Sequence, residues 1–224
     1  EKGGIESVPA GLFEGVKNNT MLGKAVTRID LEKKTVRAAG KNFPYDRLIS
    51  TMPLKEFLAL TNDKSLNRAA KELKARNVYC LNLGYRANGL NEKHWVYVPE
   101  NKFPFYRIGF PNNFSRHNAP PGYHSVFAEV SFGEKIPAGT DMAVINGLVK
   151  MRVIRSKKDI KARCAMVLKN AYVIYDRARE KILPEILGVL EKKGVLTAGR
   201  WSRWEYSSME DAVLQGLEAA GKIK

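Results

Sequence analysis

The chain has 224 residues, enough to bury the core of one large domain or two smaller ones. Apolar residues make up 44% and charged residues 27%, and no run approaches the ~18 apolar residues that would cross a membrane, so no transmembrane segment is expected. Lysine and arginine number 38 against 23 acidic residues, a net charge of +15, but the basic residues stand in ones and twos and form no nucleic-acid motif, so nucleic acid is not an expected partner.

Cys80 and Cys164 stand far apart with no CxxC spacing, which indicates neither a zinc site nor a secreted disulfide scaffold and reads as cytoplasmic. The chain opens Glu1-Lys2-Gly3-Gly4 without an initiator methionine, an apolar signal region or an Arg-rich presequence. A preceding segment of the same protein is therefore an expected partner.

In chain order, Val8 to Val16 suits one short helix, ended by the polar Asn18-Asn19-Thr20. From Lys24, two alternating strands flank Leu31-Glu32-Lys33-Lys34, Gly40 turns the chain, and a strand closes on Leu48-Ile49, together a small β-meander. After Pro53, apolar positions at helical spacing predict two helices broken at Asn62-Asp63. Between Val78 and Phe132 the runs VYCLNLGYR, HWVYVP, FYRIGFP and HSVFAEVSF are β-branched and aromatic, separated by Gly, Pro and Asn, which predicts four strands of one antiparallel sheet. Residues 141–151 read as a helix and Ile160 to Tyr175 as a strand-bearing segment. Arg177 to Lys193 places Ile182, Ile186, Val189 and Leu190 on one helical face, with Gly194 suited to the C-terminal cap. A strand from Val195 to Ala198 then meets Gly199-Arg200. The last helix begins near Met209 and ends at Gly221; Ser207 and Glu210 have capping-box spacing, and Ser208 is a second candidate cap.

The segment GVLTAGRWSRWEYSSMEDAVLQG suits an anion. A glycine lets the backbone approach a phosphate, an arginine supplies charge and a hydrogen-bond fork, and a helix start presents free N–H groups with a favourable dipole. Read alone, the same pattern also serves a packing turn.

That order of strand, Gly-Arg, aromatic pair, tyrosine, Met-acidic pair and helix resembles the C-terminal FAD motif of the superfamily of amine oxidases, protoporphyrinogen oxidases and UDP-galactopyranose mutases. The resemblance implies FAD as cofactor, with Gly199 and Arg200 by its pyrophosphate and Ser208, Met209 and Glu210 facing the flavin pyrimidine edge. Three further segments are similar in the family's order: GGIESVPAGL, AVTRIDLEKKTV and YDRLISTMPL. They imply Val26 near the adenine through its backbone, and Ser50, Thr51 and Pro53 close to the cofactor. NAYVIYDRARE resembles the family's YPIY strand end, with Val173 in place of the proline, and implies Tyr172 and Tyr175 as lining of the substrate cavity. The family's GxGxxG turn and ribose-binding acid have no counterpart here. The implied fold is α/β (α+β): an incomplete FAD-binding Rossmann-like domain from 1–53 and 176–224, and an antiparallel-sheet substrate domain with helices over 54–175.

Arg107, amid strand aromatics, is the candidate contact for an anionic small-molecule substrate, although strict alternation would also let it face solvent. Tyr206 is a further candidate. His94, His117 and His124 have no acidic or thiol neighbours at ligand spacing, so no metal is expected, and no GxSxG elbow is present. The expected function is the C-terminal part of an FAD-dependent oxidoreductase that takes a hydride from an unidentified small molecule, this portion alone binding FAD poorly. A mutase-like nucleotide-sugar enzyme and a noncatalytic basic binding module are the alternatives, and no catalytic side chain is assigned.

Overall fold

The computed structural model describes residues 4–87 and 92–223. Helix α1 (Ser7–Glu14) is followed by strands β1 (Val26–Asp30), β2 (Thr35–Ala38), β3 (Lys41–Pro44) and β4 (Leu48–Ser50). Next come α2 (Leu54–Ala59), α3 (Lys64–Ala69), β5 (Ala75–Arg86), β6 (Trp95–Tyr97), β7 (Arg107–Gly109), α4 (Pro111–Phe114) and β8 (Tyr123–Phe132). The chain closes with α5 (Thr140–Lys150), β9 (Ile160–Val173), α6 (Arg177–Lys192), β10 (Val195–Thr197) and α7 (Met209–Gly221). Helices, antiparallel sheets and a parallel strand pair give the expected α/β (α+β) class. Among the described residues no helix is long and apolar enough to cross a membrane.

Two compact units form, one from Glu1–Thr20 and Arg76–Ala171, the other from Met21–Ala75 and Tyr172–Lys224. The first contains a five-stranded sheet in the order β6-β7-β8-β5-β9. Alternation builds it: Tyr79, Leu81, Leu83 and Tyr85 of β5 are all buried, while the residues between them project to the other face. The buried row packs with Ile108, Val126 and Ala128 of neighbouring strands and with Val144 and Leu148 of α5, one core at most 7% exposed at each of these positions.

In the second unit, β1, β2 and β3 form the expected meander. The strand at Leu48–Ser50 does not join it. β4 pairs instead in parallel with β10, in the register Leu48↔Val195, Ile49↔Leu196 and Ser50↔Thr197. The break at Asn62-Asp63 is an N-cap: the Asp63 carboxylate accepts from the N–H groups of Ser65 (2.8 Å) and Leu66 (3.0 Å) and starts α3. Leu183, Ile186 and Leu190 of α6 enter a core with Phe57, Leu58 and Trp204. The buried stripe is thus centred one position from the expected one, and Val189 stays 36% exposed. Gly194 ends the helix in the left-handed region, φ 80°, as its place after Lys193 suggests.

Candidate functional site

Parallel strands release their chains at the same end, and that end is where open α/β sheets hold ligands. β4 leaves through Ser50, Thr51 and Pro53; β10 leaves through Ala198, Gly199 and Arg200. The two exits are tied together. The Ala198 N–H donates to the Ser50 carbonyl (3.1 Å), and the Leu54 N–H donates to the Trp201 carbonyl (3.1 Å). Ser50 is 5% exposed and its Oγ accepts from the Met52 N–H (3.3 Å); Thr51 is exposed, and Pro53 caps α2.

Gly199 has φ +85°, a conformation other residues rarely adopt, and a Cβ built there would meet nothing within 4 Å. Backbone geometry, not crowding, requires the glycine, and its flank is open to a close approach. Its N–H donates to Gln215 Oε1 (2.7 Å), and Gln215 Nε2 donates to Glu205 Oε1 (2.6 Å), so α7 and the loop after β10 brace each other. The loop folds back on itself: the N–H groups of Arg203 and Glu205 donate to the carbonyls of Gly199 and Arg200, both at 3.0 Å. It is anchored by the fully buried Trp204, whose carbonyl accepts from Arg179 Nε and Nη2 (3.0 and 2.8 Å).

Two tyrosines from two chain segments flank Arg200, and a third is tied to one of them. Its guanidinium lies 5.1 Å from the Tyr172 ring and 4.4 Å from the Tyr206 ring, and the two rings are near-parallel with centroids 6.0 Å apart. Tyr175 joins through its hydroxyl, which accepts from the Tyr206 N–H (2.7 Å), while Arg179 stacks on its ring at 4.1 Å. Arg200 Nη1 donates to the Ser207 carbonyl (3.5 Å). Residues suggested separately for cofactor and substrate, Arg200, Tyr172, Tyr175 and Tyr206, thus form one cluster.

The capping box of α7 falls one residue later than the Ser207/Glu210 pair. Ser208 Oγ accepts from the Asp211 N–H (3.1 Å), and the Asp211 carboxylate accepts from the Ser208 N–H (2.7 Å). Both serines have an acid three positions on; Ser208 wins because its backbone is extended, φ −83° and ψ 178°, as an N-cap requires. Those hydrogen bonds hold the Asp211 carboxyl below its ordinary pKa. The N–H groups of Met209 and Glu210 have no acceptor among the described residues. Val26 lies at the start of β1, where a register slip between Val26 and Arg28 takes Thr27 out of the ladder with β2 and interrupts the regular backbone pairing.

Arg107 belongs to the sheet unit, on the face opposite the α5 core. It lies directly across from Glu129, which is 7% exposed, and Arg107 Nη2 donates to Glu129 Oε1 at 2.5 Å. The Tyr106 hydroxyl donates to the other carboxylate oxygen (2.5 Å), and Arg107 also lies 6.0 Å from the Tyr97 ring centre. Alternation alone did not reveal that this arginine is fixed by a charge rather than turned to water. Glu129, Gln215 and Arg179 are the participants that sequence reading missed; an acidic residue midway along an apolar strand run was the one available signal for Glu129.

The residues at the β4 and β10 exits fit a phosphate-bearing cofactor. Beyond Gly199 and Arg200, the loop carries three buried polar atoms with no hydrogen-bond partner among the described residues, Ser202 Oγ, Trp204 Nε1 and Ser207 Oγ, and unpaired buried polar groups are rare enough to require a reason. Among the described residues no group of His, Cys, Asp and Glu is arranged to hold a metal.

Residues 2–224 match the family model of flavin containing amine oxidoreductases, and the chain belongs to that family. Among solved structures it is similar to reduced UDP-galactopyranose mutase, 23% identical with a TM-score of 0.81 over 88% of this chain and 46% of that one. It is also similar to the cyclohexylamine oxidase of Brevibacterium oxydans IH-35A, 13% identical with a TM-score of 0.70 over 99% and 52%. A putrescine oxidase redesigned in its cofactor binding gives 11% identity and a TM-score of 0.70 over 98% and 52%. At these identities the likeness is one of fold. The chain spans about half the length of these solved structures.

Proposed function

We propose that the chain supplies the C-terminal part of a cytoplasmic FAD-dependent oxidoreductase that oxidises a small molecule. The observation that carries the reading is the convergence at one strand end of an open, left-handed Gly199, the Arg200 guanidinium and unspent donors, in a chain of the flavin containing amine oxidoreductase family. FAD, when bound, accepts the hydride.

The side chains do the rest. Gly199 lets the backbone approach a phosphate, and Arg200, held in orientation by two rings, donates to it. The N–H groups of Met209 and Glu210, beside the Ser208 cap, donate to an acceptor edge of the cofactor, and the helix dipole favours that contact. The backbone at Val26 holds the adenine end, and Ser50, Thr51 and Pro53 flank the cofactor. Tyr172, Tyr175 and Tyr206 wall the substrate side and exclude water. The GxGxxG turn and the ribose-binding acid come from another segment of the same protein, so this portion alone holds FAD poorly.

A second reading draws on the +15 charge, which favours a diphosphate. In it, the same residues serve rearrangement of a nucleotide-sugar without net oxidation. Anaerobic mixing of the purified flavoprotein with small amines separates the two. Bleaching of the visible flavin bands supports oxidation; unchanged bands, with nucleotide-sugar interconversion only after dithionite reduction, would replace it with the second reading. A basic module without chemistry accounts for the charge but leaves the cluster around Arg200 without a purpose.

A further inference from the structure

At the Arg86 end of β5, beyond the C-terminus of α5, the core face of the sheet unit is not fully covered, and a cavity of about 620 Å³ opens there. That volume lies in the usual range for small-molecule sites, ~300–1,000 Å³. Its apolar surface comes from Val96, Ile108, Phe110 and Val153, with the Tyr85 ring beside them. Ile108, Phe110 and Tyr85 are each at most 5% exposed, so the floor is continuous with the core. His124 sits edge-on to Tyr85 at 5.9 Å, and burial lowers its pKa, which keeps it neutral at pH 7.

The rim has one sign of charge. Arg86, Lys93, Arg152 and Arg155 line the cavity, and among the described residues no carboxylate does. Arg155 is paired with Asp159 at 3.3 Å, but Arg86 and Arg152 form no ion pair among the described residues. A second, independent feature concerns the backbone. α5 ends in a Schellman turn, in which the N–H of Val153 donates to the Leu148 carbonyl (2.9 Å) and that of Arg152 to the Val149 carbonyl (2.9 Å). The residue after the cap is then left-handed, a place for glycine or asparagine, yet Arg152 occupies it at φ 59°. An arginine held in a disfavoured conformation at the mouth of an apolar cavity points to a role for its charge there.

We propose that this cavity binds one anionic amphiphile, an alkyl chain carrying a phosphate or carboxylate, with the chain on the Ile108 and Phe110 floor and the head group at Arg152 and Arg86. The site lies wholly within the sheet unit and does not depend on the flavin reading. Calorimetric titration of the protein with dodecyl phosphate, below its micelle concentration, tests it. Expected are saturation at one molecule per chain and binding at least tenfold tighter than that of inorganic phosphate or dodecanol. Arg152→Gly, which removes the charge and suits the left-handed backbone, is expected to weaken binding at least tenfold with no loss of Tm, and Arg86→Gln to weaken it severalfold. Affinity unchanged in both variants would overturn the proposal, as would inorganic phosphate binding as tightly as the amphiphile. Binding to phosphatidate-containing vesicles without saturable uptake of monomeric dodecyl phosphate would overturn it too, since the surface would then be recognising a membrane.

Discussion

In the unit formed by Met21–Ala75 and Tyr172–Lys224, the titration that folding disturbs is mainly that of carboxylates held low; in the sheet unit it is mainly that of buried phenols and a thiol pushed up. Asp63 and Asp176 cap α3 and α6, Asp211 completes the capping box of α7, and backbone N–H groups hold all three below their ordinary value. In the sheet unit, burial and then hydrogen bonding to Asp141 push Tyr79 up to about 12, while burial and the nearby Glu129 push Cys80 up to about 11. The contrast follows from architecture. Short helices joined by loops need their first N–H groups capped, and acids do that work; long strands buried on one face place polar side chains against apolar neighbours.

The largest change is expected from Trp204→Ala, which empties a fully buried site in the unit that carries the Gly199 loop. It should lower stability by about 4 kcal/mol in urea denaturation and expose the amides of 195–206 to hydrogen exchange before those of β5 and β8. If both units lose protection together, they are one cooperative system and the comparison fails. Next is Glu129→Gln, which leaves Arg107 half-buried without its carboxylate and should cost about 3 kcal/mol. Adding Arg107→Met should recover much of that loss, and a double-mutant cycle showing simple additivity would contradict a coupled pair. The caps come third: Ser208→Ala and Asp63→Ala should each cost about 1 kcal/mol, local to α7 and α3.

The smallest effects per group appear with pH, where the capping carboxyls of the one unit and the buried Tyr79 and Cys80 of the other act at opposite ends of the range. Carboxyls with lowered pKa contribute stability above pH 3.8 that is lost as pH falls through their folded values, so the unit with the capped helices should open first in acid. Tyr79 and Cys80 contribute stability below their ordinary values, 10.0 and 9.0, that is lost as pH rises towards about 12 and 11. The sheet unit should therefore open first in alkali. Hydrogen exchange and near-ultraviolet circular dichroism across both ranges would expose a common order of opening, if there is one.

The same contrast governs what could be read from the residues. The long alternating runs of β5 and β8 announce themselves, and so do the turn at Asn62-Asp63 and the glycine after α6, because each signal lies within a few neighbouring residues. The pairing of β4 with β10 does not, since two three-residue strands joined across most of the chain carry no periodicity of their own. Register between separate strands is equally hidden, and this is why Arg107 was legible as a candidate while Glu129 opposite it was not. Ser207 and Ser208 offered the same capping spacing, and backbone conformation chose between them. For the Gly199-Arg200 segment, local pattern suggested an anion, and resemblance to the family named the cofactor.

The most direct measurement is the visible absorption spectrum of the purified product of the complete reading frame, beside its Arg200→Ala variant, each reconstituted with FAD. Flavin bands near stoichiometric occupancy in the parent, and clearly reduced occupancy in a variant of unchanged Tm, are expected if the cluster around Arg200 holds the cofactor. A colourless parent that cannot be reconstituted, or a variant that retains FAD as tightly as the parent, would contradict that assignment.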